Sequence, residues 1–173
     1  TYVEDGNIVF NFNGKKEIIL PVSEVMIKGP HNLENALAAV LLTMLVGVDK
    51  ESVKRALKTF SGVEHRIETV RTVDGVTYIN DSKGTNPDST IKAIETMTKP
   101  TVLILGGYDK GGSFDSLFEA FTDNIRHTVF IGVTRDILEE TAKRYNWHNY
   151  TKITGSFLDG VLAAKAHAKE GYN

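Results

Sequence analysis

The chain has 173 residues with 41% hydrophobic and 24% charged side chains, which suits one ordinary globular domain or two small ones. A net charge of −2 without a basic run argues against nucleic-acid binding, and the absence of cysteine excludes disulfides and thiolate sites. The longest apolar stretch, Ala36–Val48, is too short to span a bilayer, and no signal peptide opens the chain, so we expect a soluble cytoplasmic protein.

The first part of the chain predicts a β-hairpin followed by two helices. Asn13-Gly14 separates two short segments rich in β-formers, and apolar residues then recur at helical spacing. The expected elements are strands 8–12 and 17–20, a helix from Leu33 with Asn32 as its N-cap and Gly47 as its stop, and a helix over 50–58 capped by Asp49. These elements bury little surface by themselves, so we interpret residues 1–68 as part of a larger domain.

Residues 69–173 alternate between strands and helices. The expected strands are 76–80, 101–105, 128–131 and 151–153, and the expected helix starts are Asn86-Pro87, Ser113, Thr134 and Ser156. This alternation predicts βαβ units, hence an α/β fold with a mostly parallel sheet and flanking helices. The pattern calls for a further strand after the last helix, so we expect the fold to be unfinished where the sequence ends.

Two loops between a strand and a helix carry the residues best suited to ligand binding. In Asn80–Asn86, Asp81, Lys83 and Thr85 offer a carboxylate, a cation and a hydroxyl beside a helix N-terminus, which favours phosphate or carboxylate. Leu105–Gly112 combines glycines with Lys110. Each loop alone can be an ordinary turn. Because both follow strands of one predicted sheet, we expect them at the same sheet edge, where ligands bind.

Two further segments carry polar residues at structural boundaries. Asn35 lies one turn into a helix and can bind a ligand there, or it can simply satisfy the helix terminus. In Glu64–Glu68, Arg66 can clamp phosphates with two hydrogen bonds, or the segment can be a solvated linker. The five histidines show no ligand spacing, so we expect no metal site.

Four segments, in this order and at these intervals, resemble the Mur ligase family: Gly29–Asn35, Gly62–Glu68, Asn80–Asn86 and Leu105–Lys110. Each is weak alone, but the set is specific. Within the family, Asn-Asp-Ser-Lys-Gly-Thr-Asn followed by Ser89-Thr90 is most similar to the members that add D-glutamate.

The resemblance implies an ATP-dependent amide-bond ligase of three domains, which uses Mg²⁺ and an acyl phosphate to build a peptidoglycan precursor. Residues 1–68 would be part of its central ATP-binding domain, and residues 69–173 most of a Rossmann-like domain that binds the incoming amino acid. The implied partners are UDP-N-acetylmuramoyl-L-alanine and D-glutamate, with no nucleic acid and no membrane, and we expect a monomer.

The resemblance also assigns roles to individual residues. The implied roles are nucleotide contact for Asn35, ATP phosphates for Arg66, ribose for Asp81, the reacting groups for Lys83 and Thr85, and a D-glutamate carboxylate for Lys110 and Thr85. Asp109 beside Lys110 could orient that lysine.

The family pattern is incomplete in this sequence. A phosphate loop of the form Gly-Thr-x-Gly-Lys-Thr, the magnesium ligands and the domain that binds the UDP group are missing, and the family's Ser-Pro-Ala loop would follow Asn173. We therefore expect no ligase activity from these residues alone. Three alternatives stay open: another Mur or folylpolyglutamate-type ligase, a stand-alone module that binds a nucleotide or acidic metabolite, and a purely structural domain.

Overall fold

The computed structural model describes residues 1–173 and divides them into two compact units, Thr1–Glu64 and His65–Asn173. The division falls four residues before the boundary expected from the sequence. The reason lies in the backbone of residues 65–67, which is hydrogen-bonded to a loop of the second unit: Lys83 N donates to His65 O at 2.9 Å, and Ile67 N to Asp81 Oδ1 at 2.9 Å.

The first unit is an antiparallel sheet with two helices. Its elements are β1 (Tyr2–Glu4), β2 (Asn7–Phe12), β3 (Lys15–Pro21), a short 3₁₀ helix (Val22–Glu24), α1 (Pro30–Leu45) and α2 (Lys50–Thr59), with strand order β1-β2-β3. The predicted hairpin is confirmed as β2 and β3, and β1 adds a third strand that the sequence did not reveal. Side chains such as Ile8, Ile19 and Val40 form the core of this unit.

The two helices of the first unit differ in how well the sequence predicted their starts. Asp49 caps α2 as expected, with its carboxylate accepting from Ser52 N at 2.9 Å. The start of α1 was predicted wrongly. Proline is favoured at a first helical position, so α1 begins at Pro30, and Asn32 Nδ2 instead donates to Lys28 O at 2.8 Å.

The second unit contains a hairpin and a parallel sheet with helices. Its elements are β4 (Glu68–Val73), β5 (Val76–Asn80), α3 (Pro87–Thr96), β6 (Thr101–Gly107), α4 (Asp115–Glu119), β7 (Ile125–Gly132), α5 (Arg135–Arg144), β8 (Tyr150–Lys152) and α6 (Phe157–His167). The predicted α/β class is confirmed: β6, β7 and β8 are parallel and flanked by helices. Phe130, Ile94 and Leu138 lie in the core between these layers.

The position of strand 76–80 differs from the prediction. This segment pairs antiparallel with β4, across the turn Asp74-Gly75, and does not join the parallel sheet. The last residues of the chain lie between β5 and β6: Thr77 N donates to Tyr172 O at 2.9 Å, and Val102 N to Asn173 O at 3.0 Å. The expectation that β5 and β6 belong to one sheet was therefore wrong, because the terminal backbone lies between them.

Helix caps in the second unit follow the sequence in part. Asn86 caps α3, and Ser156 caps α6 within a capping box closed by Asp159. Ser113 does not occupy the N-cap of α4, which is Phe114, although its hydroxyl accepts from Asp115 N at 3.0 Å. No helix of the chain combines the length and apolar character that crossing a membrane requires.

Candidate functional site

The loop between β5 and α3, residues 80–86, is held by its own polar groups. Asn80 Oδ1 accepts from Ser82 N at 3.0 Å, and Gly84 N donates to the Asp81 carbonyl at 2.8 Å. At the end of the loop, Asn86 Oδ1 accepts from Ser89 N at 2.8 Å and so caps the helix. The loop therefore has one defined path, and the positive end of the α3 dipole lies at its end.

Gly84 allows this loop to fold tightly over Asp81. A Cβ atom at position 84 would lie 2.6 Å from Asp81 Oδ2 and 3.0 Å from the Asp81 carbonyl oxygen. A side chain there would displace the carboxylate, so glycine is required by close approach and not by its backbone angle. The carboxylate itself is half-buried and accepts from Ile67 N.

The loop between β6 and α4, residues 108–114, begins at a close contact between strands. At Gly106, a Cβ atom would lie 2.1 Å from Ile131 O on β7, so only glycine permits the two strands to pair here. Further along, Asp109 Oδ1 accepts from Gly111 N at 2.7 Å. This bond shapes the loop. No hydrogen bond or salt bridge joins Asp109 to Lys110, and the role of Asp109 in orienting that lysine stays a prediction.

Lys110 connects the two loops. Its Nζ donates to the Thr85 carbonyl oxygen at 3.2 Å, across 25 positions of sequence, although β5 and β6 are not adjacent strands. The two loops are in contact, but the expectation that they lie at the same edge of one sheet was wrong, because β5 and β6 belong to different sheets. Their meeting point is this side-chain contact, beside the N-terminus of α3.

The site residues inferred from the sequence fall in both units. Asn35 lies exposed on α1 in the first unit. In the second unit, the side chains of Arg66, Lys83 and Lys110 are exposed, and those of Arg66 and Lys83 make no hydrogen bond or salt bridge within the chain. The unpaired cations Arg66 and Lys83, together with Lys110 bonded to Thr85 O, suit an anionic ligand with several oxygens, such as a polyphosphate or a dicarboxylate.

The sequence did not reveal the contacts made by Asn80 and His65. Asn80 Nδ2 and His65 Nδ1 lie 2.8 Å apart, which joins the segment before β4 to the loop after β5. The asparagine itself is a signal for a turn in which its side-chain oxygen accepts from the backbone N–H two residues later, as Asn80 does from Ser82. The partner of its other amide atom, 15 positions away, has no signal in the sequence.

The strongest pKa shifts belong to groups away from these loops. Hydrogen bonds from Lys152 and Lys143 lower the pKa of Glu139 to about 2, and a hydrogen bond to Glu119 raises the pKa of Tyr145 to about 12. The pKa of His127 is lowered first by burial and second by the adjacent His167. Glu139 and His127 connect helices to the parallel sheet, and Tyr145 connects the end of α5 to α4, so we assign these groups to the scaffold.

Two other features are poor candidates for the site. No group of three or more histidine, aspartate or glutamate side chains is placed to hold a metal ion. An apolar groove of about 140 Å³ lies between α1 and α2, bounded by Val40, Thr43 and Leu57, among others. It offers no charged group to a phosphate or carboxylate, so it does not compete with the two loops as an anion site.

The fold and the loops define an α/β domain that presents cations and backbone donors at the start of a helix. A sequence profile of the Mur ligase glutamate ligase domain matches residues 65–171, which is nearly the whole of the second unit. The chain belongs to the Mur ligase family.

Similar proteins agree with this assignment. UDP-N-acetylmuramoylalanine–D-glutamate ligase of Thermoanaerobacter sp. (strain X514) is 44% identical over 171 residues, which are 98% of this chain and 38% of that protein. The enzyme of the same name from Alkaliphilus oremlandii is 49% identical over 152 residues, 88% of this chain and 34% of its own. The chain thus spans little more than a third of the length of these curated relatives.

A solved structure has the same fold at low identity. Mycobacterium tuberculosis folylpolyglutamate synthase complexed with ADP matches with a TM-score of 0.68 and 15% identity, over 86% of this chain and 35% of the other. At this identity the likeness concerns the fold alone.

Proposed function

We propose that the chain provides the amino-acid-binding part of an ATP-dependent ligase that adds D-glutamate to UDP-N-acetylmuramoyl-L-alanine, a step of peptidoglycan precursor synthesis. The observation that carries the proposal is the contact between Lys110 Nζ and Thr85 O, which joins the two loops at a helix N-terminus. The names and identities of the curated relatives support the choice of substrates.

The reaction forms an amide in two transfers. A carboxylate oxygen of UDP-N-acetylmuramoyl-L-alanine attacks the γ-phosphorus of ATP, ADP leaves, and an acyl phosphate results. The amino nitrogen of D-glutamate then attacks the acyl carbon, the tetrahedral intermediate releases phosphate, and the nitrogen loses a proton. Both transfers concentrate negative charge on oxygen, so positioned cations and N–H donors stabilise them most.

Lys110 suits a carboxylate of D-glutamate. An ammonium group has three protons, and the bond to Thr85 O uses one of them. Two remain for a carboxylate, and the Thr85 hydroxyl lies on the residue that Lys110 contacts. We assign Lys83, on the same loop as Thr85, to the reacting carboxylate and its acyl phosphate.

Arg66 and Asp81 suit the nucleotide, and for Asn35, which lies in the first unit, a nucleotide contact stays the role that the family resemblance implies. The exposed guanidinium of Arg66 can bind phosphate oxygens with two parallel hydrogen bonds. We assign Asp81, whose Oδ1 atom accepts from Ile67 N, to a ribose hydroxyl. Magnesium is part of the proposed reaction, but the residues of this chain do not form a site for it. The roles that we assign to these side chains do not depend on the metal.

The enzyme that contains these residues would act in the cytoplasm, where ATP and UDP-linked precursors are available, and as a monomer.

A hybrid enzyme tests the substrate assignment. Residues 1–173 replace the matching segment of the Thermoanaerobacter relative, and ADP release is measured with UDP-N-acetylmuramoyl-L-alanine and a panel of amino acids. We expect turnover with D-glutamate and none with L-glutamate. Turnover with another amino acid instead would assign the chain to a different ligase of the family.

The stand-alone binding module makes a different prediction. Calorimetric titration of the 173-residue chain with MgATP, and separately with D-glutamate, distinguishes it from the ligase. Binding tighter than about 1 mM that is lost in Asp81→Ala or Lys110→Ala would show that the loops bind ligand by themselves. Absence of heat, together with an active hybrid enzyme, would show that the site needs the remaining ligase domains.

A further inference from the structure

The segment before β4 has a backbone conformation that its side chains disfavour. His65 has φ +66° and Ile67 has φ +46°. Both values lie in the left-handed region, which a β-branched residue such as isoleucine rarely enters. Arg66 lies between them. Such a conformation persists only where surrounding contacts fix it, and residues of this kind concentrate at functional sites.

Four hydrogen bonds fix this segment to its surroundings. They are His65 N to Glu68 Oε2 at 2.8 Å, Asn80 Nδ2 to His65 Nδ1 at 2.8 Å, Lys83 N to His65 O at 2.9 Å, and Ile67 N to Asp81 Oδ1 at 2.9 Å. Three of the four reach the loop after β5, which also carries the residues assigned to the ligase reaction. The position of the Arg66 backbone is therefore set by that loop.

Asn80 controls the imidazole of His65. Its Oδ1 atom accepts from Ser82 N at 3.0 Å, so the amide is oriented with Nδ2 towards His65. Because Nδ2 can only donate, His65 Nδ1 must accept, and the ring proton lies on Nε2. Glu68 Oε2 is 3.7 Å from the same Nδ1 atom, which is too long for a competing hydrogen bond.

The side chain of Arg66 is left available. It is exposed, and it makes no hydrogen bond or salt bridge within the chain. A fixed backbone with an available guanidinium is what a preorganised anion contact requires, because the ligand then orders only the side chain.

We propose that Asn80 is a positioning residue for Arg66. Asn80 locks His65, His65 holds the left-handed segment, and the segment sets Arg66 beside the loop that carries Lys83. The inference rests on the proposed function, in which Arg66 binds the phosphates of ATP. It adds that phosphate affinity depends on a residue that touches no phosphate, whereas binding of D-glutamate at Lys110 does not.

Nuclear magnetic resonance on the ¹⁵N-labelled 173-residue chain tests the contact without any ligand. In Asn80→Ala, we expect the amides of Ile67 and Lys83 to exchange about tenfold faster, and His65 to lose its preference for the Nε2–H tautomer. The control is Asn124→Ala, which removes an amide that donates to Met97 O at 2.9 Å elsewhere in the unit. It should leave both signals unchanged. Unaltered exchange and tautomer in Asn80→Ala would overturn the proposal.

A ligand titration separates positioning from general stability. MgATP and D-glutamate are titrated in turn into the hybrid enzyme, with and without Asn80→Ala, and the two dissociation constants are measured. Asn80→Ala should weaken the binding of MgATP at least threefold and leave that of D-glutamate unchanged. Equal MgATP affinity in the two proteins would contradict the role of Asn80.

Two safeguards keep the test decisive. If Asn80→Ala does not fold, His65→Asn removes the same hydrogen bond with a residue that tolerates positive φ, and the same exchange rates decide. The proposed function fails by a different measurement, namely the absence of D-glutamate turnover in the hybrid enzyme. Exchange and tautomer judge Asn80 whether or not that enzyme is active.

Discussion

The two loops that form the candidate site differ in how they are held. In the loop after β5, side chains fix the backbone: Asn80 accepts from Ser82 N within the loop, Asn86 accepts from Ser89 N in α3, and Asp81 accepts from Ile67 N. The loop after β6 contains Gly111 and Gly112, and it follows Gly106 and Gly107 at the end of the strand. Within this loop, Asp109 accepts from Gly111 N and closes a turn. The hydrogen bond from Lys110 connects the loop to the first one.

This difference teaches how one site can combine rigid and adaptable parts. A ligand at the first loop meets groups that are already in place, so little conformational entropy is lost on binding. A ligand at the second loop must order glycine-rich backbone, but the loop can adapt to it. Under the proposed function, the rigid loop serves the nucleotide and the reacting groups, and the adaptable loop, together with Thr85 of the rigid loop, serves the incoming amino acid.

The largest effect is expected at Gly106, where the adaptable loop begins. In Gly106→Ala, the new Cβ would lie 2.1 Å from Ile131 O, a backbone atom that cannot move without shifting β7. We expect a loss of about 3 kcal/mol or more in the free energy of unfolding, measured by urea denaturation, because over-packing against backbone is hard to relax.

Gly112→Ala is the matched control for this prediction. A Cβ at position 112 meets nothing within 4 Å, and its backbone angle is an ordinary one. Its unfolding free energy should change by less than about 0.5 kcal/mol. Similar losses in the two variants would show that the glycines act through flexibility, and not through the strand contact.

The next effect concerns the bond between the loops. In the hybrid enzyme, Lys110→Ala should raise the KM for D-glutamate by about 10- to 100-fold, because a charge-assisted contact to a carboxylate is lost. The KM for ATP should change little. Lys99→Ala, which removes another exposed lysine of the second unit, is the control. Equal increases in the KM for D-glutamate and the KM for ATP would show that the two loops do not bind different substrates.

The rigid loop is tested through Asp81. In Asp81→Ala, the N–H of Ile67 loses its acceptor, and we expect unfolding free energy to fall by about 1–2 kcal/mol. Asp81→Asn keeps an oxygen at the same place and should retain most of the stability. If both variants unfold like the unchanged chain, the loop is held by its backbone, and the contrast between the two loops disappears.

How far the sequence predicts this molecule depends on the range of each interaction. Periodicity and caps act over a few residues, so the bounds of α2 and the starts of α3 and α6 were predicted closely, with Asp49, Asn86 and Ser156 as caps. Local signals failed where a neighbouring rule was stronger, as at Pro30, which starts α1 ahead of Asn32. β4 escaped notice because almost all its side chains are exposed, so it shows no buried face.

The candidate site was predicted in outline. Residue types and positions after strands indicated the two loops, and the chain's membership of the Mur ligase family agrees with the motifs that carried the resemblance. The roles of the individual residues stay predictions. The contact of Lys110 with the Thr85 carbonyl and that of Asn80 with His65 span 25 and 15 positions. Such pairs depend on the path of the whole chain, and no local pattern reports them.

The smallest expected effect is a pH-dependent loss of stability around Glu139, which supports the sheet that leads into the second loop. Hydrogen bonds from Lys152 of β8, and then from Lys143, lower the pKa of Glu139 on α5 to about 2, from an ordinary value of 4.5. A lowered folded-state pKa stabilises the fold fully above pH 4.5, and this contribution is lost as the pH falls from 4.5 towards 2. Glu139→Gln should therefore unfold more easily than the unchanged chain at pH 7, with the difference vanishing near pH 2.

Glu140→Gln, on the same helix and without a salt bridge, should show no such pH-dependent difference. The contact of Glu139 with Lys152 connects α5 to β8, at the edge of the parallel sheet. Strand β6 of that sheet leads into the adaptable loop, whereas the rigid loop follows the β4–β5 hairpin. As the pH falls from 4.5 to 3, protection from hydrogen exchange, relative to the intrinsic rate at each pH, should accordingly be lost first in the amides of β8 and α5. It should be lost later in the loop after β5. Simultaneous loss of protection in both regions would mean that the unit unfolds as one cooperative body, so that the loops differ in local bonding but not in stability.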